Sequence, residues 1–224
     1  METRTKILEM ARLMFNEQGA SQVSSRHVSE ALGISYGNLC YHFPKKDELI
    51  LQLYHDMQAA LDAEVAQLEA EIYQFDFMIK SLRQMLAVLL KYKFVSLELA
   101  SLVRRFPLIA EHVRKQQQSR LFICRAIYAF LMQRGYLKAE RFPGHYDLLS
   151  HNMIMILNSW IVDAELFYQG PEEGKIEYYL GLIYRFVSAS LTRKGVEAFQ
   201  KVYGGEPNLF SHQSSSSEIK NAGQ

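Results

Sequence analysis

Cysteine and proline are scarce in this sequence, no apolar run is long, and neither sign of charge prevails. The two cysteines, Cys40 and Cys124, lie far apart in 224 residues and have no partners at metal-ligand spacing. A disulfide framework or a zinc module is therefore not expected, and a reducing, cytoplasmic setting fits. Only 5 prolines interrupt the chain, so long helices are permitted. Apolar streaks such as residues 153–157 are far shorter than the roughly 20 residues a helix needs to cross a bilayer, and no membrane partner is expected. Glu2, Arg4, Lys6 and Glu9 keep the N-terminus polar, with nothing resembling a secretion signal. A formal net charge of +1 argues against an indiscriminate polyanion binder. Also missing are a glycine-rich phosphate loop, an internal repeat, a strand-like alternation and any nucleophile–base arrangement. No cofactor, metal site or catalytic residue is expected, and an enzyme is the least favoured reading.

What is present is 49% hydrophobic composition in helical periods, organised around residues 28–49. Ser24 or Ser25 can cap a helix beginning near Arg26, with Val28, Ala31 and Leu32 expected on its inner side. Gly33 stops that helix, because the residue past a helix end usually takes a left-handed backbone that glycine adopts without steric penalty. Ser35 restarts the chain as a second N-cap. In the short helix that follows, Leu39 is the strongly apolar residue and, with Ile34 and Phe43, anchors it. The outward positions are Tyr36, Gly37, Asn38, Tyr41 and His42. Two short helices on a tight glycine turn, the second presenting hydrogen-bonding side chains, suit a helix laid in the major groove of DNA.

Residues 5–50 resemble the DNA-binding domain of the tetracycline-repressor (TetR) family. Its usual run is a Gly-hydrophobic-Ser turn, a Gly-x-Leu helix, an aromatic-x-His-Phe ending and a Lys-acid-acid-Leu start to the next helix. Here those read Gly33-Ile34-Ser35, Gly37-Asn38-Leu39, Tyr41-His42-Phe43 and Lys46-Asp47-Glu48-Leu49. Two positions depart from the pattern: Ser29 stands where alanine is usual, and Cys40 where tyrosine is usual, leaving that phosphate contact to Tyr41. The candidate DNA contacts are Ser25 and Arg26 at a helix start, Ser35, Tyr36, Gly37 and Asn38 on the short helix, and Tyr41, His42 and Lys46 beyond. For Ser25 a plain cap is the alternative, for Tyr41 and His42 completion of a small core, and for Lys46 an ordinary solvated lysine. Within residues 1–50 six cations face six acids, so any grip on DNA comes from a few placed groups rather than a basic surface.

Around this unit the spacing predicts a first helix over 3–17 and a long one running from Lys46 past Val65. Further helices are expected over 75–92, 94–105 and 108–134, and Pro143-Gly144 marks a loop. Residues 145–168 and 172–203 read as two helices apolar on several faces, which must be buried or covered by another subunit. With the family resemblance, they imply an all-α homodimer made through the last two helices, about 145–203. The expected domains are 1–47 for double-stranded operator DNA and 48–203 for a small-molecule effector and dimerisation, with a disordered polar tail over 204–224. The resemblance implies a hydrophobic effector pocket in the larger domain. Met85, Tyr92, Phe94 and Phe106 are candidates for its wall, as are Phe122, Tyr128, Met153 and Trp160, although such side chains are more often core. Asp147 and His151, one turn apart, suit a surface ion pair better than a metal site. The reading reached is a ligand-responsive transcriptional regulator, a repressor by preference; a helical small-molecule carrier without DNA binding is the alternative.

Overall fold

The structure, a computed structural model, describes residues 2–71 and 75–203. The tail expected over 204–224 lies outside the described residues. Helix α1 spans Thr3–Gln18, α2 Ser25–Leu32, α3 Tyr36–His42 and α4 Lys46–Glu71. Then come α5 at Phe75–Lys91, α6 at Lys93–Arg105, α7 at Pro107–Gln133 and α8 at His145–Phe167. A single 3-10 turn at Glu172–Gly174 leads into α9 at Lys175–Ser188, and α10 closes the described chain at Arg193–Tyr203. The chain is all-α.

Local chemistry sets the head of the molecule. Ser24 caps α2, its hydroxyl accepting from the His27 N–H at 3.1 Å while the Ser24 N–H donates to His27 Nδ1 at 3.3 Å. Ser25 is thus the first helical residue, not the cap. Gly33 has φ 65° and ends α2, its N–H donating to the Glu30 carbonyl. Ala31, expected inside, is exposed; the buried arc runs through Val28 and Ser29, whose hydroxyl donates to the Arg26 carbonyl at 2.8 Å. Ser35 caps α3 by accepting from the Asn38 N–H at 3.1 Å, and Leu39 and Phe43 are buried against α1 and α4.

This small core continues into the body. Ile7, Phe15, Leu39, Leu49, Leu53 and Phe94 belong to one hydrophobic cluster that extends through Leu102 to Ile109. Head and body are therefore welded through α4 and α6 rather than strung on a linker.

The single helix expected over 172–203 is broken. Leu191 pairs with Leu137 in an antiparallel bridge, with the Lys138 N–H donating to the Ser190 carbonyl and the Thr192 N–H to the Tyr136 carbonyl, each at 2.9 Å. Thr192 then caps α10, its Oγ1 accepting from the Gly195 N–H at 3.1 Å. Pairing with residues 136–138 and a fresh cap outweigh helical continuity at Ala189. Consequently α10 folds back on its own chain, with Phe199 buried in a second cluster beside Tyr128 and Leu137. The expected Asp147–His151 pair does not form either. Asp147 takes Arg125 at 2.6 Å, and the His151 ring bonds the Asp147 carbonyl at 2.8 Å, as the helical i to i+4 geometry favours.

Candidate functional site

The outer surface of the head carries nearly every residue singled out for nucleic-acid contact. Tyr36, Gly37, Asn38 and Tyr41 are exposed on α3, Tyr41 most fully at 85%. His42 is half-buried with its ring edge-on to Tyr41 at 5.2 Å. Arg26 lies over the Tyr36 ring at 5.4 Å, which ties the start of α2 to α3. Cys40, one turn after Tyr36, raises that phenol above its ordinary range through a side-chain hydrogen bond. Ser35 is engaged as the cap, and Ser25 sits in the first turn of α2. Lys46 is half-buried, its ammonium 3.4 Å from the Ser21 carbonyl, and burial followed by the nearby Arg105 lowers its pKa. The surface is thus aromatic and polar with few cations, as the balanced charge of residues 1–50 requires.

A latch joins this head to the helices behind it. Arg12 and Asn16 of α1 both donate to the Lys91 carbonyl at 2.8 Å, and the Phe94 N–H donates to Asn16 Oδ1 at 3.1 Å. Glu98 on α6 accepts from the Ala20 N–H at 2.5 Å. Arg105 at the end of α6 pairs with Asp47 at the start of α4. The hydrogen bonds tie α6, and Lys91 at the end of α5, to α1 and to the loop that precedes α2.

The opposite side of α6 meets an interior cavity of about 320 Å³. Val95, Ser96 and Leu99 line it from α6, and Tyr54, Met57, Gln58 and Leu61 from α4. Ile127, Leu131, Leu137, Val187, Leu191 and Phe199 make an apolar stretch of the wall, with Tyr128 and Tyr184 packed beside them. Of the expected wall, Met85, Tyr128 and Met153 reach the cavity. The other candidates do not. Tyr92, Phe94 and Phe106 are buried in the head-side cluster, where Phe94 meets Phe15 edge-on at 5.4 Å and Tyr92 lies under Arg12. Trp160 is buried behind the wall against Tyr179, and Phe122 points to solvent, 72% exposed.

Sequence reading missed the polar part of the wall: Gln58 on α4, Ser96 on α6, Gln116, Gln117 and Arg120 on α7 and Asn158 on α8. The available signal was their phase, since Gln116 and Arg120 fall one turn apart on the face that carries Val113, Ile123 and Ile127. Next to them the Tyr54 hydroxyl is bonded to His112 Nδ1 at 2.8 Å, and the Gln116 amide stands 3.2 Å from His112 Nε2. This chain ties α4 to α7.

Burial holds His112 below its ordinary value of 6.5, with His55, Arg120 and Lys115 adding to the effect and Asp62 opposing it. A folded-state pKa below the unfolded one means that folding disfavours the proton. The stabilisation is present above about pH 6.5 and is lost as pH falls through the lower folded value. Thermal melting of wild type and of His112→Gln across pH 8 to 5 should therefore show their gap narrowing on acidification; a constant gap would contradict this.

A polar helix on a glycine turn, welded to a helical body that encloses an apolar cavity, defines a helix-turn-helix transcriptional regulator. Residues 7–53 match the family model of bacterial regulatory proteins of the tetR family, and residues 55–199 that of the TetR bacterial transcriptional repressor. The chain belongs to the ligand-responsive TetR family. It is 27% identical over 158 residues to the HTH-type transcriptional regulator TtgR of Pseudomonas putida, spanning 65% of this chain and 71% of TtgR. Its fold is similar to that of a TetR-family regulator from Marinobacter aquaeolei, with a TM-score of 0.80 at 21% identity over 92% of this chain and 100% of that one. A regulator structure from Saccharomonospora viridis in complex with choline superposes with a TM-score of 0.65 at 17% identity, over 85% of this chain and 98% of the other.

Proposed function

We propose that the chain is a homodimeric, cytoplasmic repressor without enzymatic activity, which binds a palindromic operator and leaves it when an apolar effector fills the cavity. The observation that carries this reading is the double role of α6, whose Val95, Ser96 and Leu99 face the cavity while Phe94 and Glu98 hold the head. Residues 1–47 form the reading domain and 48–203 the effector and dimerisation domain. Tyr36 and Asn38 meet base edges, and Gly37 lets α3 approach the groove closely. Ser25, Arg26, Ser35, Tyr41, His42 and Lys46 meet the backbone phosphates. An effector pressing on α4 and α6 changes the separation of the two heads. Its power to release DNA is limited to the difference in its affinity for the two spacings.

The dimer is supported by an outward stripe on α8. Leu148, Met155, Val162 and Leu166 are exposed at spacings of seven and four residues, and Leu182 is exposed on the neighbouring α9. Stripes of this kind are normally covered by a twofold copy. Because α10 packs on its own chain, the interface is assigned to α8 and α9.

Selection of bound duplexes from a random library tests the whole reading. Recovery of an inverted repeat with half-sites about one helical turn apart supports it. Recovery of no preferred sequence by a dimeric protein would instead favour a carrier that has lost DNA binding.

A further inference from the structure

We infer that the effector is an amphiphile with one carboxylate head and an apolar tail, its head held by Arg120. This deepens the effector reading above and rests on it. Among the described residues lining the cavity, Arg120 is the one with a formal charge. Tyr54 is pushed by burial up to about 12 and Cys124 up to about 11, so neither supplies a compensating negative charge near neutral pH. Among the described residues Arg120 makes no ion pair; it donates one hydrogen bond, from Nη1 to Asn158 Oδ1 at 3.0 Å. Asp62 acts on it only from a distance, and burial lowers its pKa more than any neighbour raises it. A guanidinium has five donors in a planar fork that matches a carboxylate in two parallel bonds, so most of this group's capacity is unused.

The geometry around Arg120 sets the rest of the ligand. Gln116, Gln117 and Asn158 stand beside it and can support the head, whereas toward Leu131 and Phe199 the wall is mostly apolar, Tyr128 and Tyr184 being the residues there that carry a polar group. From Arg120 to Leu131 the α7 axis advances about 16 Å, long enough for an extended tail rather than a compact ring. A neutral apolar molecule would fill the space and leave a half-buried cation unpaired, and a cation would be repelled. The carboxylate amphiphile satisfies both ends.

Calorimetric titration of the full chain with decanoate, methyl decanoate and decyltrimethylammonium, each below its aggregation concentration, separates the possibilities. Decanoate is expected to bind roughly tenfold to a hundredfold more tightly than the ester, the range for a charge-assisted hydrogen bond, with the ammonium weakest. In Arg120→Met the preference for decanoate over the ester should vanish while the ester binds as well or better, and Arg120→Lys should retain part of it. Should Arg120→Met not fold, Arg120→Gln gives the same comparison, and the wild-type order of the three probes stands on its own. Equal binding of decanoate and ester to wild type overturns the carboxylate assignment and leaves the cavity as an effector site. Binding of none of the three by a folded dimer overturns the assignment and the effector reading with it.

Discussion

Tyr41→Ala combined with His42→Ala is expected to leave the fold intact and to weaken operator binding by about a thousandfold. Tyr41 is 85% exposed and its recorded ring neighbour is His42, so removing both takes little from the core beneath α3, which Leu39 and Phe43 supply. At about 1 kcal/mol for each hydrogen bond to phosphate and two heads per dimer, the loss is about 4 kcal/mol, or roughly three decades in affinity. Gel shift on the selected operator measures the affinity and thermal melting checks the fold. Unchanged affinity would remove these residues from the contact surface. A drop in melting temperature with matching loss of binding would return them to packing. The low charge of the head makes the effect large, because no broad cationic surface remains to hold the DNA once placed donors are gone.

Gly195→Ala is expected to destabilise the protein by about 2 kcal/mol, within the range for forcing an extra methyl into a filled site. The sign is informative. In an unobstructed helix the same change would stabilise by up to about 1 kcal/mol, since glycine is the poorer helix former. Here a Cβ at 195 would lie 2.2 Å from the Tyr136 carbonyl oxygen and 3.0 Å from Leu191 Cδ2. A backbone atom cannot swing away as a side chain can, so α10 must lift from the 136–138 segment. Phe199, stacked on Tyr184 with centroids 3.4 Å apart, would move with it and open the apolar end of the cavity. Urea unfolding of Gly195→Ala beside Lys201→Ala, an exposed position on the same helix, checks the claim; equal midpoints would refute the close approach.

The helix-turn-helix was legible because its determinants are local. Ser24, Gly33 and Ser35 each act within three residues of themselves, and Leu39 and Phe43 need only one apolar neighbour to be read as anchors. The cavity was not legible in the same way, since its wall draws on α4 through α10 and its members are sorted by which side of a helix they occupy. Phe122 and Phe94 show the difficulty. They look alike as bulky aromatics, yet one faces water and the other closes the core beside Phe15. The broken end of the chain was hidden for a related reason. Apolar periodicity runs unbroken from Ile176 to Val187, and the interruption comes from pairing with residues about fifty positions earlier. Arg120 was passed over because a cation on a long helix is usually solvated, and its surroundings emerge only after α4 and α8 pack beside it.

Trp160 is the sole tryptophan in the sequence and is 1% exposed, packed among Met153, Leu180 and Ile183, which also form cavity wall. The molecule thus carries its own optical reporter. Emission from this one indole senses the polarity and rigidity of the layer immediately outside the cavity, so filling that space will register as a change in colour or intensity without any label. A compound collection can accordingly be surveyed in plain buffer, with every signal arising from one known place in the protein.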